Sequence, residues 1–224
     1  MKQMDVTGCP LFQGITAEEL EQMWECLGPV EAFYPKGAFL WREGEKTKRM
    51  GVVLSGGVHI LREDFWGNRS IQGRAGPGEL FGEAYACGDE PLGVSVQAAE
   101  DSRVLFLEAE RLLTACPSAC PFHARAAANL LRVLAGKNRM LSRKIEHISQ
   151  RTTRAKVLSY LSWQARRQGS PRFSIPFDRQ GLADYLAVDR SALSQELGRM
   201  RREGLLDFRK NQFELKGTEQ PETE

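Results

Sequence analysis

Residues 178–206, DRQGLADYLAVDRSALSQELGRMRREGLL, hold the side chains best suited to meeting another molecule. Arg190, Ser191, Ser194, Gln195 and Arg199 share one side of a helical pattern. Leu193, Leu197 and Met200, at spacings of four and three, bury the other side. Guanidinium, hydroxyl and carboxamide groups on one exposed helix face are the donors and acceptors that bond base edges and phosphates. A second set, Arg209-Lys210-Asn211, is a basic turn between two short apolar runs. The chemistry these residues offer is recognition of nucleic acid.

The elements that must position them are legible in the same stretch. Asp178 is an N-cap, because its carboxylate can accept from the free amides of the next turn. Leu182, Ala183 and Leu186 then share one face, Ala187 and Val188 turn the chain, and Asp189 caps a second helix reaching about Glu203. This is a helix-turn-helix, which sets its second helix in the DNA major groove. A helical hairpin with a solvated charged face would satisfy the same pattern. The next ten residues favour DNA: Leu206-Asp207-Phe208 and Gln212-Phe213-Glu214-Leu215 alternate as strands, so the segment predicts a winged helix. Arg199, Arg209 and Lys210 are expected on phosphates, and Arg190, Ser191, Ser194 and Gln195 on bases.

At 224 residues the chain has room for one large or two modest domains, and 42% hydrophobic with 27% charged residues excludes a disordered chain. A net charge of +2 says nothing about nucleic acid. Its distribution does, since residues 139–210 are predominantly basic and residues 1–122 acidic on balance. The polar start is unlike a signal peptide, and no apolar run approaches the roughly 20 residues of a membrane helix. Five scattered cysteines argue against a disulfide framework and for a reducing, cytoplasmic setting. No histidine–carboxylate cluster, nucleophile elbow or phosphate loop is present, so an enzyme is not expected. Neither is a cofactor or a bound metal.

Upstream, residues 15–28 predict an amphipathic helix with a Thr16–Glu19 capping box. From Val30 to Leu107 short alternating runs (38–41, 51–54, 58–62, 69–73, 94–98 and 103–107) are separated by Gly, Pro and Asp turns. That texture predicts a small roll of strands. A helix of about 40 Å follows over residues 122–150. Leu131, Leu134, Asn138, Leu141, Ile145 and Ile148 recur on it at spacings of three and four, a heptad seam that predicts a homodimer interface. Residues 154–168 predict a further helix, with Ala155, Leu158, Leu161 and Trp163 as its apolar contacts, and 173–176 a short strand of the wing. The expected class is therefore α+β. It divides into a β-roll domain (1–121), a dimerisation helix (122–150), a winged-helix domain (151–217) and a polar disordered tail (218–224).

This order resembles the Crp/Fnr superfamily of bacterial transcription regulators from about Pro10 to Gly217. Leu11-Phe12, Tyr34-Pro35-Lys36-Gly37 with Arg42-Glu43-Gly44-Glu45, residues 52–58 (VVLSGGV) and residues 77–83 (PGELFGE) look like that family's roll. The resemblance implies a jelly roll of the cyclic-nucleotide-binding kind, a homodimer on double-stranded DNA, and RNA polymerase as a further partner if transcription is raised. It places an effector pocket at Phe81, Gly82, Glu83, Leu92, Gly93, Val94 and Arg139. The family's cyclic-nucleotide binders carry an Arg-Ser pair for the phosphate, which needs a fixed cationic fork. Here the loop reads Glu90-Pro91-Leu92-Gly93-Val94, and the base-contacting pair of the long helix is replaced by Arg139 and Met140. Cyclic AMP is not expected, and the small-molecule effector is unidentified. A redox-responsive regulator using Cys9, Cys26, Cys87, Cys116 or Cys120 as reactive thiols or as iron–sulfur cluster ligands, haem through His59, His123 or His147, and an interaction module that no longer meets DNA remain alternatives.

Overall fold

Thr16 opens the first helix as its side chain predicts. Its hydroxyl accepts from the Glu19 amide while the Glu19 carboxylate accepts from the Thr16 amide. Helix α1 (Ala17–Leu27) buries Met23, Trp24 and Leu27 and stops at Gly28, whose φ of 55° a side chain would resist. The computed structural model describes residues 6, 8–63, 66, 69–114 and 120–216, in two units that part at Gly136. Cys116 and the tail from residue 217 lie outside the described residues.

In the first unit the roll comprises β1 (Val30–Tyr34), β2 (Phe39–Trp41), β3 (Arg49–Ser55), β4 (Val58–Glu63), β5 (Arg69–Ala75) and β6 (Leu80–Phe81). Then come α2 (Glu83–Ala86), β7 (Ser95–Ala98), β8 (Ser102–Glu108) and α3 (Ala109–Leu113). The strands form two four-stranded sheets, ordered β1-β8-β3-β6 and β2-β7-β4-β5, with antiparallel pairing throughout. Alternation does the sorting on β8. Val104 and Phe106 face a core shared with Leu40, Val53, Val58, Phe81 and Val96, while Leu105 and Leu107 pack with Met50, Val52 and the helices. Strands β1 and β6 and the short helices α2 and α3 are additions to the predicted runs. Apart from β1, each is too brief for a period to register.

Helix α4 (Pro121–Ile148) is the predicted long helix. In the first unit Phe122, Ala126 and Leu130 join the core with Leu11 and Phe12, and Leu134 packs at its margin. The buried Asn129 donates to the Leu11 and Gln13 carbonyls, and Arg125 reaches the Gly14 carbonyl and Glu19, so polar side chains fix the opening segment to α4.

The second unit contains α5 (Thr153–Gln168), β9 (Arg172–Ser174), α6 (Arg179–Leu186), α7 (Arg190–Arg202), β10 (Leu206–Arg209) and β11 (Gln212–Leu215). Its core gathers Val157, Tyr160, Leu161, Leu182, Leu186, Leu193, Leu197, Met200 and Phe213. Of the predicted contacts of α5, Leu161 is buried in this core and Leu158 and Trp163 pack against it, but the helix buries further residues. Val157, Tyr160, Leu161 and Gln164 are inside, whereas Ala155, Leu158 and Trp163 are only half-buried. Gln164 is admitted because its amide donates to the Tyr160 hydroxyl, and Trp163 stays at the rim beneath the Arg167 and Arg143 guanidinium groups. β10, β11 and β9 form an antiparallel sheet in that order.

Candidate nucleic-acid interface

The two helix caps are made as the sequence predicts. Asp178 accepts from the Gly181 amide, and Asp189 accepts from the Ser191 and Ala192 amides and the Ser191 hydroxyl. These donors, the Ser191 hydroxyl foremost, hold the Asp189 carboxyl below its usual range, so it stands as a fixed anion at the start of α7. Between the helices Ala187 takes a left-handed φ of 51°. Lys156 of α5 donates to the Leu186 and Ala187 carbonyls, satisfying the end of α6 at the turn.

α7 buries Leu193, Leu197 and Met200 and leaves Arg190, Ser191, Ser194, Gln195 and Arg199 exposed. The Ser194 hydroxyl donates to the Arg190 carbonyl at 2.9 Å. Arg199 pairs with Glu196 at 3.2 Å, and Arg154 of α5 bridges Glu196 at 2.7 Å and Glu203 at 2.7 Å. That bridge ties the middle and the C-terminal end of α7 to α5 and lowers the Glu203 pKa while raising that of Arg154. Sequence reasoning missed it. Glu196 and Glu203 sit seven apart on one stripe, but nothing in the spacing names their partner on α5.

The wing turns through Lys210 and Asn211, with Arg209 paired across to Gln212. Lys210 adopts φ 55°, and the Asn211 amide donates to the Ile175 carbonyl while the Ile175 amide donates to the Asn211 carbonyl. Arg179 stacks 4.8 Å from the Phe208 ring and Arg201 5.5 Å from it, with Arg201 also bonded to Asp207 at 2.7 Å. Both helices of the motif thus grip the wing strand. Arg209 and Lys210 are exposed beyond that grip.

The predicted effector residues are partly brought together. Phe81 is 1% exposed and lies against Trp41 and Phe106, making it core. Gly82 has φ 75°, and a Cβ there would lie 2.5 Å from the Trp41 ring. Glu83 begins α2, buried. Across from α2, Leu92 is buried, Val94 is half-buried, and a Cβ at Gly93 would lie 3.2 Å from the Tyr85 hydroxyl. The loop is latched by backbone bonds from Gly44 to the Leu92 carbonyl and from Leu92 to the Glu45 carbonyl, 2.7 and 2.8 Å. Arg139 is exposed on α4 in the second unit.

The cysteines are scattered: Cys9 is buried, Cys26 and Cys120 half-buried, and Cys87 exposed. Burial pushes the Cys9 and Cys87 thiols up, Glu83 adding to the effect at Cys87. Among the described residues no group of three His, Cys, Asp or Glu could hold a metal ion, and no helix is long and apolar enough to cross a membrane.

A strand roll followed by a long helix and a winged helix-turn-helix defines a class of DNA-binding transcription regulators with an N-terminal sensor-type domain. Residues 31–118 match the cyclic nucleotide-binding domain, and residues 155–220 match the Crp-like helix-turn-helix domain. The chain belongs to the Crp/Fnr superfamily. It is 29% identical to the cyclic AMP receptor protein of Thermus thermophilus, over 89% of this chain and 88% of that protein. The CRP-like cAMP-activated global transcriptional regulator of Mycobacterium tuberculosis is 22% identical over 84% of this chain and 83% of its own. Among solved structures, the c-di-GMP-responsive global regulator CLP of Xanthomonas campestris superposes with a TM-score of 0.60 at 20% identity, covering 91% of this chain and 100% of that one. CprK complexed with OCPA superposes with a TM-score of 0.62 at 16% identity, over 88% of this chain and 91% of that one. Both share the fold.

Proposed function

We propose that this Crp-like regulator works as a homodimer on an inverted DNA repeat, under control of a small effector other than cyclic AMP. The observation that carries the reading is the exposed face of α7. The Arg190 and Gln195 side chains stand on it with no intramolecular hydrogen bond among the described residues. Gln195 is suited to adenine through its amide, Arg190 to guanine or phosphate, and Arg199, Arg209 and Lys210 to phosphates. Dimerisation is supported by Leu131, Leu141 and Ile145 of α4, each about 60% exposed on the heptad seam with Asn138. Leu134 and Ile148, half-buried in the protomer, offer less surface to a partner. RNA polymerase joins as a partner where binding activates transcription.

The curated relatives are cyclic AMP proteins by name, but this chain's loop argues for a different effector. With neither Arg nor Ser in residues 90–94 and Leu92 buried there, the loop beside Glu83, Gly93 and Val94 suits an uncharged or weakly acidic molecule. Selection from a random duplex pool tests the DNA reading, the expected product being an inverted repeat with half-site centres about ten base pairs apart. A pool that yields no motif, with or without cell extract as effector source, would leave an interaction module. Calorimetric titration with cyclic AMP should give no binding heat; micromolar binding would refute the effector assignment.

A further inference from the structure

Two of the base-facing side chains on α7 have already used their only hydrogen. The Ser191 hydroxyl donates to Asp189 Oδ1, and the Ser194 hydroxyl donates to the Arg190 carbonyl. A hydroxyl carries one hydrogen and two lone pairs. With the hydrogens turned inward, what each serine shows to solvent is oxygen lone pairs. Gln195, one residue on, keeps both its donor and its acceptor available. The face is therefore unequal in polarity along its length.

We infer that Ser191 and Ser194 read DNA as acceptors, so that each selects a base pair by its exocyclic amino group, the N6 of adenine or the N4 of cytosine. This rests on α7 being the base-reading helix. In the major groove those amino groups are the only donors, whereas the O6 and N7 of guanine and the O4 of thymine are acceptors. An acceptor-only serine meets the latter lone pair to lone pair. Ser191 is the more firmly committed. Its acceptor is a carboxylate, and bonds to a charged group are the shorter and stronger kind. The same carboxylate takes the Ser191 and Ala192 amides at 2.7 and 3.1 Å, so its orientation is fixed by the helix start itself. Turning the hydroxyl outward to donate to a base would leave that charge with one donor fewer. Ser194 is held by a neutral backbone carbonyl, so its preference should be the weaker of the two.

The polarity predicts which base atom matters, and atom deletion in the operator reads it directly. The duplex selected by the wild-type protein would be compared with those selected by Ser191→Ala and Ser194→Ala. At a base pair whose preference a variant loses, purine would replace adenine, or 2-pyrimidinone cytosine, deleting only the amino group. In separate duplexes the keto oxygen of the partner base would be deleted. Loss of the amino group should weaken wild-type binding about three- to tenfold per half-site, the range of one net hydrogen bond. It should leave the matching alanine variant unmoved beyond the effect of altered pairing that both proteins share, the comparison forming a double-mutant cycle. Deletion of the keto oxygen should affect wild type and variant alike. A keto deletion felt by the wild type alone would overturn the inference, as would alanine variants that select an unchanged motif. A wild-type protein that selects no motif at all overturns the base-reading role of α7 itself, a result distinct from a motif indifferent to the serines.

Discussion

Replacing Leu141 and Ile145 together by serine should dissociate the dimer without unfolding the protomer. The two side chains are 61% and 59% exposed in the single chain. Little packing is lost within the protomer when they shrink. Full burial of a Leu or Ile side chain is worth roughly 1.5–3 kcal/mol, so covering about three-fifths of each contributes about 1–2 kcal/mol. A two-fold interface holds four such side chains, for about 4–7 kcal/mol in total. At 1.4 kcal/mol per tenfold, the dimer dissociation constant should rise by about three to five orders of magnitude. Sedimentation velocity from nanomolar to micromolar protein reads this directly, with the far-UV circular dichroism spectrum as the folding control. Met140→Ser is the matched control. Met140 is 73% exposed but lies off the spacing of three and four, so its loss should leave the dimer intact. A doubly substituted protein that sediments as wild type, or a Met140 change that dissociates it equally, would refute the seam. So would a monomeric wild type.

Gln195→Ala should relax one base position and cost about 1–3 kcal/mol per half-site, measured by binding to single-base operator variants; an unchanged preference removes Gln195 from the reading set. Lys210→Gly should act in opposite senses on stability and binding. It relieves a left-handed backbone that costs an L-residue about 1–2 kcal/mol, offset in part by the greater freedom of glycine when unfolded. It also removes a phosphate contact from each wing, so thermal stability should hold or rise while the slope of log affinity against log salt becomes shallower by about two per dimer. His147 predicts a pH dependence. Its ring is buried against Tyr160, Trp163 and Tyr185, with Nδ1 2.8 Å from the Ser159 hydroxyl and Nε2 without a partner. Desolvation pushes its pKa down, Glu146 opposing and Arg143 adding to the shift. The unfolded chain therefore takes up the proton first as pH falls. The stability contribution is complete above the unfolded value of about 6.5 and is lost as pH drops through the folded pKa. Thermal melts across that window should show a steeper decline for wild type than for His147→Phe; parallel curves would exclude His147 as the cause.

Much of the interface was legible because its rules are local. Asp178 and Asp189 announce helix starts through their own side chains, and Leu193, Leu197 and Met200 announce a buried stripe through their spacing. What escaped is non-local. That Arg154 clamps Glu196 and Glu203, or that Lys156 closes the end of α6, depends on how helices cross, which no period within one helix encodes. The same limit explains α5. Hydrophobicity nominated Ala155, Leu158, Leu161 and Trp163 as its contacts and passed over Gln164, which is buried because a tyrosine hydroxyl four residues away satisfies it.

The loop at residues 90–94 shows the limit most sharply. Its composition, with neither Arg nor Ser in 90–94, is what argues against a cationic phosphate fork there. Composition is silent on what stands there instead. The backbone latch of Gly44 and Glu45 onto Leu92 is made by groups every residue carries, and so leaves no mark on residue type. Trp41 over Gly82 is different, because the glycine is required: any side chain would collide with the indole. A Gly82→Ala substitution must therefore displace Trp41 or distort a backbone already at φ 75°, and either change acts at the start of α2, beside Glu83. If α2 belongs to the effector-responsive element, that substitution should alter effector-dependent DNA affinity while leaving the selected motif unchanged. Separate behaviour of affinity and motif is what a sensor acting on a distinct reading head requires, since an effector moves the equilibrium only through its differential affinity for the two states.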